Sequence, residues 1–197
     1  DLGFDLGLFN NRISLEADIY LKKTKDLLYE APVPATSGST SMMSNIGSLE
    51  NKGIELTLNT VNIQTRDFQW SSAFNISFVK NEITQLGVNN EDKLVDPDFL
   101  GKNVILRVGE SIGSFWGYKC EGTWGTDEAT EAARDGKLPG DLKHQDLNND
   151  GAINDADKHI IGRGTPDFYG TFSNYLKYKD FDFALELQYS VGADVLN

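Results

Sequence analysis

At 197 residues, with a formal net charge of -12 and with 39% hydrophobic and 11% aromatic residues, the chain is composed as an ordered protein and not as a disordered acidic tail. The acidic balance, without any cluster of Lys and Arg, argues against nucleic acid or anionic lipid headgroups as main partners, because phosphate binding requires clustered cations. Cys120 is the sole cysteine, which excludes an internal disulfide and a thiolate zinc site; a lone thiol of this kind is expected as buried filler.

The first residues, DLGFDLGLF, carry neither the charged region nor the apolar region of a signal peptide. No apolar run approaches the ~20 residues of a spanning helix, but a membrane barrel built from strands would show none either. In ISLEADIYLKK, Ile13, Leu15, Ala17, Ile19 and Leu21 fall on one face and Ser14, Glu16, Asp18, Tyr20 and Lys22 on the other, the period of a two-faced strand. Residues 31–47 are rich in Pro, Ser, Thr and Gly and read as a long exposed loop. GIELTLN around Leu56 and FQWSSAFNISF from Phe68 to Phe78 alternate again, with Trp70, Phe74, Ile76 and Phe78 on one side. FDFALELQY sets Phe181, Phe183, Leu185, Leu187 and Tyr189 against Asp182, Ala184, Glu186 and Gln188 in the same way. The connectors at Asn10–Asn11, Gln64–Asp67 and Lys179–Asp180 are tight, whereas 31–47 and 87–165 are long. Brief turns at one edge and extended loops at the other describe an all-β, antiparallel, up-and-down sheet, the pattern of an outer-membrane barrel with its long loops outside. The segments divide as 1–86, barrel strands with one outer loop at 31–47; 87–165, a long extracellular loop region with a short helix and a calcium loop; and 166–197, a barrel strand hairpin.

The second long connector has structure of its own. Thr126 is placed to cap a short helix over DEATEAARD, with Gly136 placed to end it. Gly109, Ser111 and Gly113 match the G-x-S-x-G spacing of a hydrolase nucleophile elbow, but the aromatic, Gly-spaced run from Ser114 to Trp124 reads as strand where an elbow needs a helix. Trp116, Tyr118 and Trp124 could stack on sugar rings, although aromatics at strand spacing more often pack. DLNNDGAINDAD then places Asp146, Asn148 and Asp150 at positions 1, 3 and 5 of a calcium loop, with Gly151 at the sharp turn. The Ala152 carbonyl stands at position 7, Asn154 at position 9 and Asp157 at position 12, where an Asp is shorter than the usual Glu. An Asx-rich turn without metal is the alternative, but converging carboxylates repel one another without a cation, which favours structural calcium. No strong helix precedes the loop and no second copy occurs, so a paired calcium sensor and a dockerin-type module are both disfavoured. His144 and His159 flank the loop as expected surface residues, not spaced as a metal pair, and no phosphate loop occurs; the chain reads as no enzyme.

In this order, NIGSLENKGIELTLN, FQWSSAFNISFVKNEITQL, GESIGSFWGYKCEGTW and PGDLKHQDLNNDGAINDADKHIIGRGTPDFYGTFSNYLKYKDFDF resemble the barrel of the SusC/RagA family of TonB-dependent outer-membrane transporters. The most specific parts are Asn45 to Glu55 and Pro139 to Gly151. The resemblance implies a Gram-negative outer-membrane importer of glycans or peptides, with a SusD-like surface lipoprotein as lid and energy from the TonB complex. Barrels of this kind have ~22 strands and a plugged lumen, which implies that this chain is an interior piece without the plug or the TonB-contacting segment, with membrane lipid on its exterior. The alternative reading of the alternation is a soluble secreted, calcium-stabilised carbohydrate-binding β-sandwich, in which the apolar face packs on a second sheet.

Overall fold

The structure, a computed structural model, describes residues 1–32, 41–95 and 103–195. In chain order its strands are β1 (Leu2–Leu8), β2 (Ile13–Pro32), β3 (Ser41–Gln64), β4 (Phe68–Leu86), β5 (Lys93–Val95) and β6 (Val104–Leu106). There follow β7 (Ser114–Gly117), β8 (Cys120–Thr123), the helix α1 (Ala129–Arg134), β9 (Leu142–His144), β10 (His159–Arg163), β11 (Phe168–Tyr178) and β12 (Phe181–Val191). One six-stranded antiparallel sheet runs β1-β2-β3-β4-β11-β12, a four-stranded sheet runs β10-β7-β6-β5, and β8 pairs with β9. The large sheet is a meander interrupted once, between β4 and β11, where the whole long connector is inserted.

The register joins the alternating faces into one apolar surface. Leu2 pairs with Ile19 and Leu6 with Leu15; Ile19 lies opposite Ile54 and Leu15 opposite Leu58. Ile54 then faces Phe78 and Leu58 faces Phe74, Phe74 faces Phe172, and Phe172 faces Leu187. This face is uncovered: Leu2 is 73% exposed, Phe4 56%, Phe181 78% and Phe183 58%. The accessible surface is 13534 Å², against roughly 9,300 Å² for a compact chain of this mass. A sandwich would bury that face under a second sheet, and among the described residues none covers it, so the sandwich expectation fails. Along β2 the apolar series Ile13 to Leu21 extends roughly 27 Å at a strand's rise of about 3.4 Å, close to the ~25 Å apolar band of a membrane barrel.

Near the tight turns the apolar face ends in a polar chain. Asn62, at a register shift in β3, donates to Ser72 Oγ at 2.7 Å, Ser72 donates to Asn174 Oδ1 at 2.8 Å, and the Trp70 indole donates to the same oxygen at 3.0 Å. An indole tied to amides and hydroxyls suits the water–lipid boundary, where one end of the ring is wet. The turn residues Phe9, Asn10 and Asn11 all take positive φ, as does Lys179 in the β11–β12 turn, which lets the strands reverse within a few residues. The other end differs from expectation. β2 continues to Pro32 and β3 begins at Ser41, so strand pairing enters the 31–47 segment expected as loop, and residues 33–40 lie outside the described residues. Once two strands are in register, each further pair closes no new loop and adds two hydrogen-bonding groups, which outweighs the poor strand propensity of Ser, Pro and Gly.

Gly170 in β11 is required for space and not for conformation. A Cβ there would collide with the Asn75 carbonyl oxygen and with the Tyr189 hydroxyl, and that hydroxyl donates to the same carbonyl at 2.7 Å. Replacing Gly170 with Ala should therefore push Tyr189 off Asn75 and weaken the β4–β11–β12 pairing by ~1–3 kcal/mol. The expected outcome, in the intact barrel protein, is a lower temperature at which the unboiled gel band converts to the boiled mobility, with a smaller fall for Tyr189→Phe.

Candidate functional site in the long connector

The connector is seated on the upper end of β4. The Ile83 amide donates to the Glu110 carbonyl at 2.9 Å and the Gly109 amide to the Ile83 carbonyl at 2.8 Å. Asn81 Oδ1 accepts from the Ile112 amide at 2.8 Å while its Nδ2 donates to Asn51 at 2.6 Å. Ile83, Leu86 and Ile105 are buried here, so this corner holds most of the apolar core found among the described residues. A second attachment closes the base. The Arg163 amide donates to Asp194 Oδ2 at 3.0 Å, the Asp194 amide returns to the Arg163 carbonyl at 2.8 Å, and the Arg163 guanidinium is paired with Asp167.

Within this frame the 146–157 loop folds as its spacing predicts. The Gly151 amide, at φ +82°, donates to Asp146 Oδ2 at 2.8 Å, and the amides of Asp150 and Ala152 donate to Asn148 Oδ1 and Asp150 Oδ1, each at 2.9 Å. Asn154 Oδ1 accepts from the Ala156 amide at 2.9 Å and its Nδ2 donates to the Ala152 carbonyl at 3.1 Å. Asp157 is fully buried, with Oδ1 accepting from Leu147 N at 2.9 Å and Oδ2 from Asn154 N at 2.8 Å. The Asn154 amide is the chief reason its carboxyl lies below the usual range, against the opposing effect of burial. All six predicted donors thus lie in one turn, and Asp146 Oδ1 is buried without any hydrogen-bond partner. The donor chemistry is that of a hard cation, although no three of the described His, Cys, Asp or Glu side chains already converge as a metal cluster; Asn148 Nδ2 instead donates to Asp150 Oδ2 at 2.8 Å.

The loop also forms one wall of a cavity of about 470 Å³, bounded by Tyr118, Trp124, Arg134, Lys137 and His144. Spacing alone did not reveal this cavity, because its walls come from the residues flanking β8, from the end of α1 and the turn after it, from β9 and from the 146–157 loop. Lys143 stands 4.5 Å from the Trp124 ring centre and is paired with Glu128 at 2.6 Å. Lys158 stands 5.1 Å from the Tyr118 ring and is paired with Asp155 at 2.8 Å. His144 lies 5.2 Å from Tyr118, ring to ring, and its Nδ1 is buried and unpartnered. Both histidines are half-buried, not surface residues, because β9 and β10 carry them into the connector's interior. Trp116, the third of the expected aromatics, packs under Arg107 at 4.9 Å, which itself binds Asp92 through two nitrogens.

Two local expectations are corrected, the cap and the cysteine, while the reading of Ser111 holds. The helical segment begins at Thr126 itself, so the cap is Gly125 and not Thr126, the Gly125 amide donating to Glu128 Oε2 at 3.0 Å. That bond and Lys143 hold the Glu128 carboxyl below the usual range, and Gly136 ends the helix at φ +66°. Ser111 is nearly buried, 3.3 Å from Ser114 Oγ, and the strand β7 follows it where an elbow requires a helix. Cys120 is exposed, not buried, as is every residue of β8.

A six-stranded meander with an uncovered apolar face and a structured insertion at one end is a segment of barrel wall. The sequence matches, over residues 1–195, the family described as TonB dependent receptor-like, beta-barrel. It is 45% identical over 204 residues to the TonB-dependent receptor P3 of Formosa agariphila and 33% identical over 198 residues to the TonB-dependent receptor SusC of Bacteroides thetaiotaomicron. These alignments cover 100% and 96% of the chain but 20% and 19% of the relatives, so the chain spans about a fifth of their length. In fold it is similar to the RagAB peptide transporter, at TM-score 0.71 and 24% identity, covering 96% of this chain and 20% of that one. The RagAB peptide importer in its open-open state gives TM-score 0.76 and 25% identity, covering 97% and 20%. The chain belongs to the TonB-dependent receptor β-barrel family, on its SusC/RagA side, a family of outer-membrane transport receptors and not of enzymes.

Because the Asp157 carboxyl titrates below its ordinary value of 3.8, the stability it lends the loop is complete above that value and is lost as pH falls through the lower folded value. Pepsin digestion of the intact protein should leave residues 145–158 uncut at pH 5 and cut them progressively below about pH 3.8. Asp157→Ala should raise cleavage by neutral proteases at pH 7 by about tenfold or more, since two amides lose a charged acceptor.

Proposed function

We infer that this chain forms part of the wall and the outer loops of an importer that carries glycans or peptides across the Gram-negative outer membrane. The observation that carries the reading is the continuous apolar face from β1 to β12 with tight turns at one end and the long connector at the other, in a chain of this family. The opposite face carries Glu16, Asp18, Thr57, Asn75, Thr171 and Gln188, a polar lining suited to a hydrated lumen. The relatives named RagAB and SusC support a SusD-like lipoprotein lid and a peptide or glycan cargo, with the TonB complex acting through parts of the protein outside this segment.

The connector then faces the cell exterior. Proteinase K applied to intact cells should cut within 87–165 while the turns at Asn10–Asn11, Thr65–Asp67 and Lys179–Asp180 stay uncut until the cells are opened. Cleavage at those turns first would reverse the orientation and remove the reading.

Structural calcium in the 146–157 loop belongs to the same proposal. Asp146, Asn148, Asp150, the Ala152 carbonyl, Asn154 and Asp157 would hold it, and bound calcium would neutralise carboxylates that otherwise crowd one turn. The orphaned Asp146 Oδ1 supports this. Calcium in millimolar excess over EGTA should slow proteolysis of 137–165 several-fold, and Asp146→Ala with Asp150→Ala should abolish the difference; no calcium effect on the unmutated protein would refute the metal.

A further inference from the structure

The cavity beside the 146–157 loop has the make-up of a ligand site. Its volume of about 470 Å³ falls inside the roughly 300–1,000 Å³ range of small-molecule sites. Two aromatic rings, Trp124 and Tyr118, stand in its wall with two cations, Arg134 and Lys137, and one carboxylate, Asp135. The cations differ from their neighbours. Lys143 and Lys158 are each neutralised by a carboxylate within 2.8 Å, whereas no hydrogen bond or ion pair to the side chain of Arg134 or Lys137 occurs among the described residues. In a chain of net charge -12, which offers many carboxylates, two adjacent cations left open beside a Trp mark a place where negative charge comes from elsewhere.

We propose that this cavity binds an acidic saccharide, a chain of hexuronic acid rings, on the outer face of the transporter. The proposal rests on the importer reading for its location and deepens it by naming a cargo class. A pyranose ring has a flat face of C–H groups that packs on an indole or phenol ring, and a polar edge that does not. A uronate adds a carboxylate to that edge, which a guanidinium receives through two parallel N–H bonds and an ammonium as a point charge. The hydroxyls on the same ring are donors, and Asp135 is the acceptor beside them. The wall therefore offers apolar rings, cations and an acceptor, the three surfaces that a single uronate presents. An acidic peptide side chain brings the carboxylate but neither the stacked ring nor the adjacent hydroxyls.

The test uses the intact transporter purified in detergent, with tetragalacturonate, neutral maltotetraose and a tetraglutamate peptide as probes, followed by calorimetry and tryptophan fluorescence. The expected result is that tetragalacturonate binds best, and that Arg134→Gln with Lys137→Gln weakens it by about tenfold or more while maltotetraose is unchanged. Trp124→Leu should weaken tetragalacturonate as well and remove the fluorescence response. Arg134 and Lys137 are exposed and Trp124 is half-buried, and retention of the heat-dependent gel shift verifies the barrel in each variant. Tetragalacturonate binding that is indifferent to the double substitution overturns the site. Tetraglutamate binding as tightly as tetragalacturonate, and lost in the same variant, overturns the saccharide assignment in favour of a carboxylate-only site. Binding to purified protein requires neither import nor orientation, so a negative result here leaves the importer reading intact, and reversed protease access on cells leaves this measurement standing.

Discussion

Everything else in this chain follows from one apolar surface that nothing among the described residues covers. Six strands in register bring Leu, Ile, Phe and Val side chains to the same side, and among the described residues only Ile83, Leu86, Ile105 and Ala132 are buried apolar side chains. A water-soluble chain of this length would fail under that exposure, since the hydrophobic contribution that offsets chain entropy is missing. In hydrocarbon the balance reverses: apolar side chains meet a like solvent, and the demand shifts to the backbone, whose N–H and C=O groups must all be paired. The meander pairs them for β2, β3, β4 and β11. The outward edges of β1 and β12 have no partner among the described residues, and open edges of this kind call for further strands.

The same constraint explains why the chain's small core sits where it does. The membrane takes no irregular backbone, so a connector of some eighty residues can be folded only beyond the apolar band. There it needs its own packing and its own hydrogen bonds. It obtains the first where Ile83, Leu86 and Ile105 meet at the end of β4, and the second through Asn81, Glu110 and the Arg163–Asp194 exchange. The long strands β2, β3 and β4, of 20, 24 and 19 residues, exceed the ~9–11 residues needed to span the membrane, and their surplus forms the ledge on which the connector rests.

The sequence made the large sheet legible because a period of two is local: Ile13 to Leu21 and Phe181 to Tyr189 declare their faces without reference to any other segment. The tight turns were legible for the same reason, through Asn10, Asn11 and Lys179. A turn at Gly151 was legible as well, since the residues that shape it fall within one short stretch, and the Gly151 amide closes it onto Asp146. What was missed depended on contacts across distance. The extension of β2 and β3 into a Ser- and Pro-rich stretch comes from the partner strand and not from local propensity. Cys120 was expected inside because free thiols usually are, but every residue of β8 is exposed. The cavity formed by Tyr118, Trp124, Arg134, Lys137 and His144 was invisible because turns and a helix bring its walls together; only the run of aromatics in Phe115 to Trp124 hinted at it.

Charge placement inside the connector separates support from recognition. Lys143 and Lys158 each sit over an aromatic ring and against a carboxylate, and both ammonium groups are pushed up in pKa first by that hydrogen bond, to Glu128 and to Asp155. Such triads fix ring orientation and leave little field beyond themselves, because their charges cancel over a few ångströms. Arg134 and Lys137 are the opposite arrangement, cations at the end of a short helix, where the backbone's negative end favours them without neutralising them. With a screening length of about 8 Å at physiological ionic strength, the groups nearest the cavity weigh more than the overall charge of -12; the charged groups in its wall are Arg134, Lys137 and Asp135. An anionic ligand arriving at an acidic protein therefore meets local attraction where the long-range field would predict repulsion, and the aromatic rings already held in place by Lys143 and Lys158 form the surface against which it can pack.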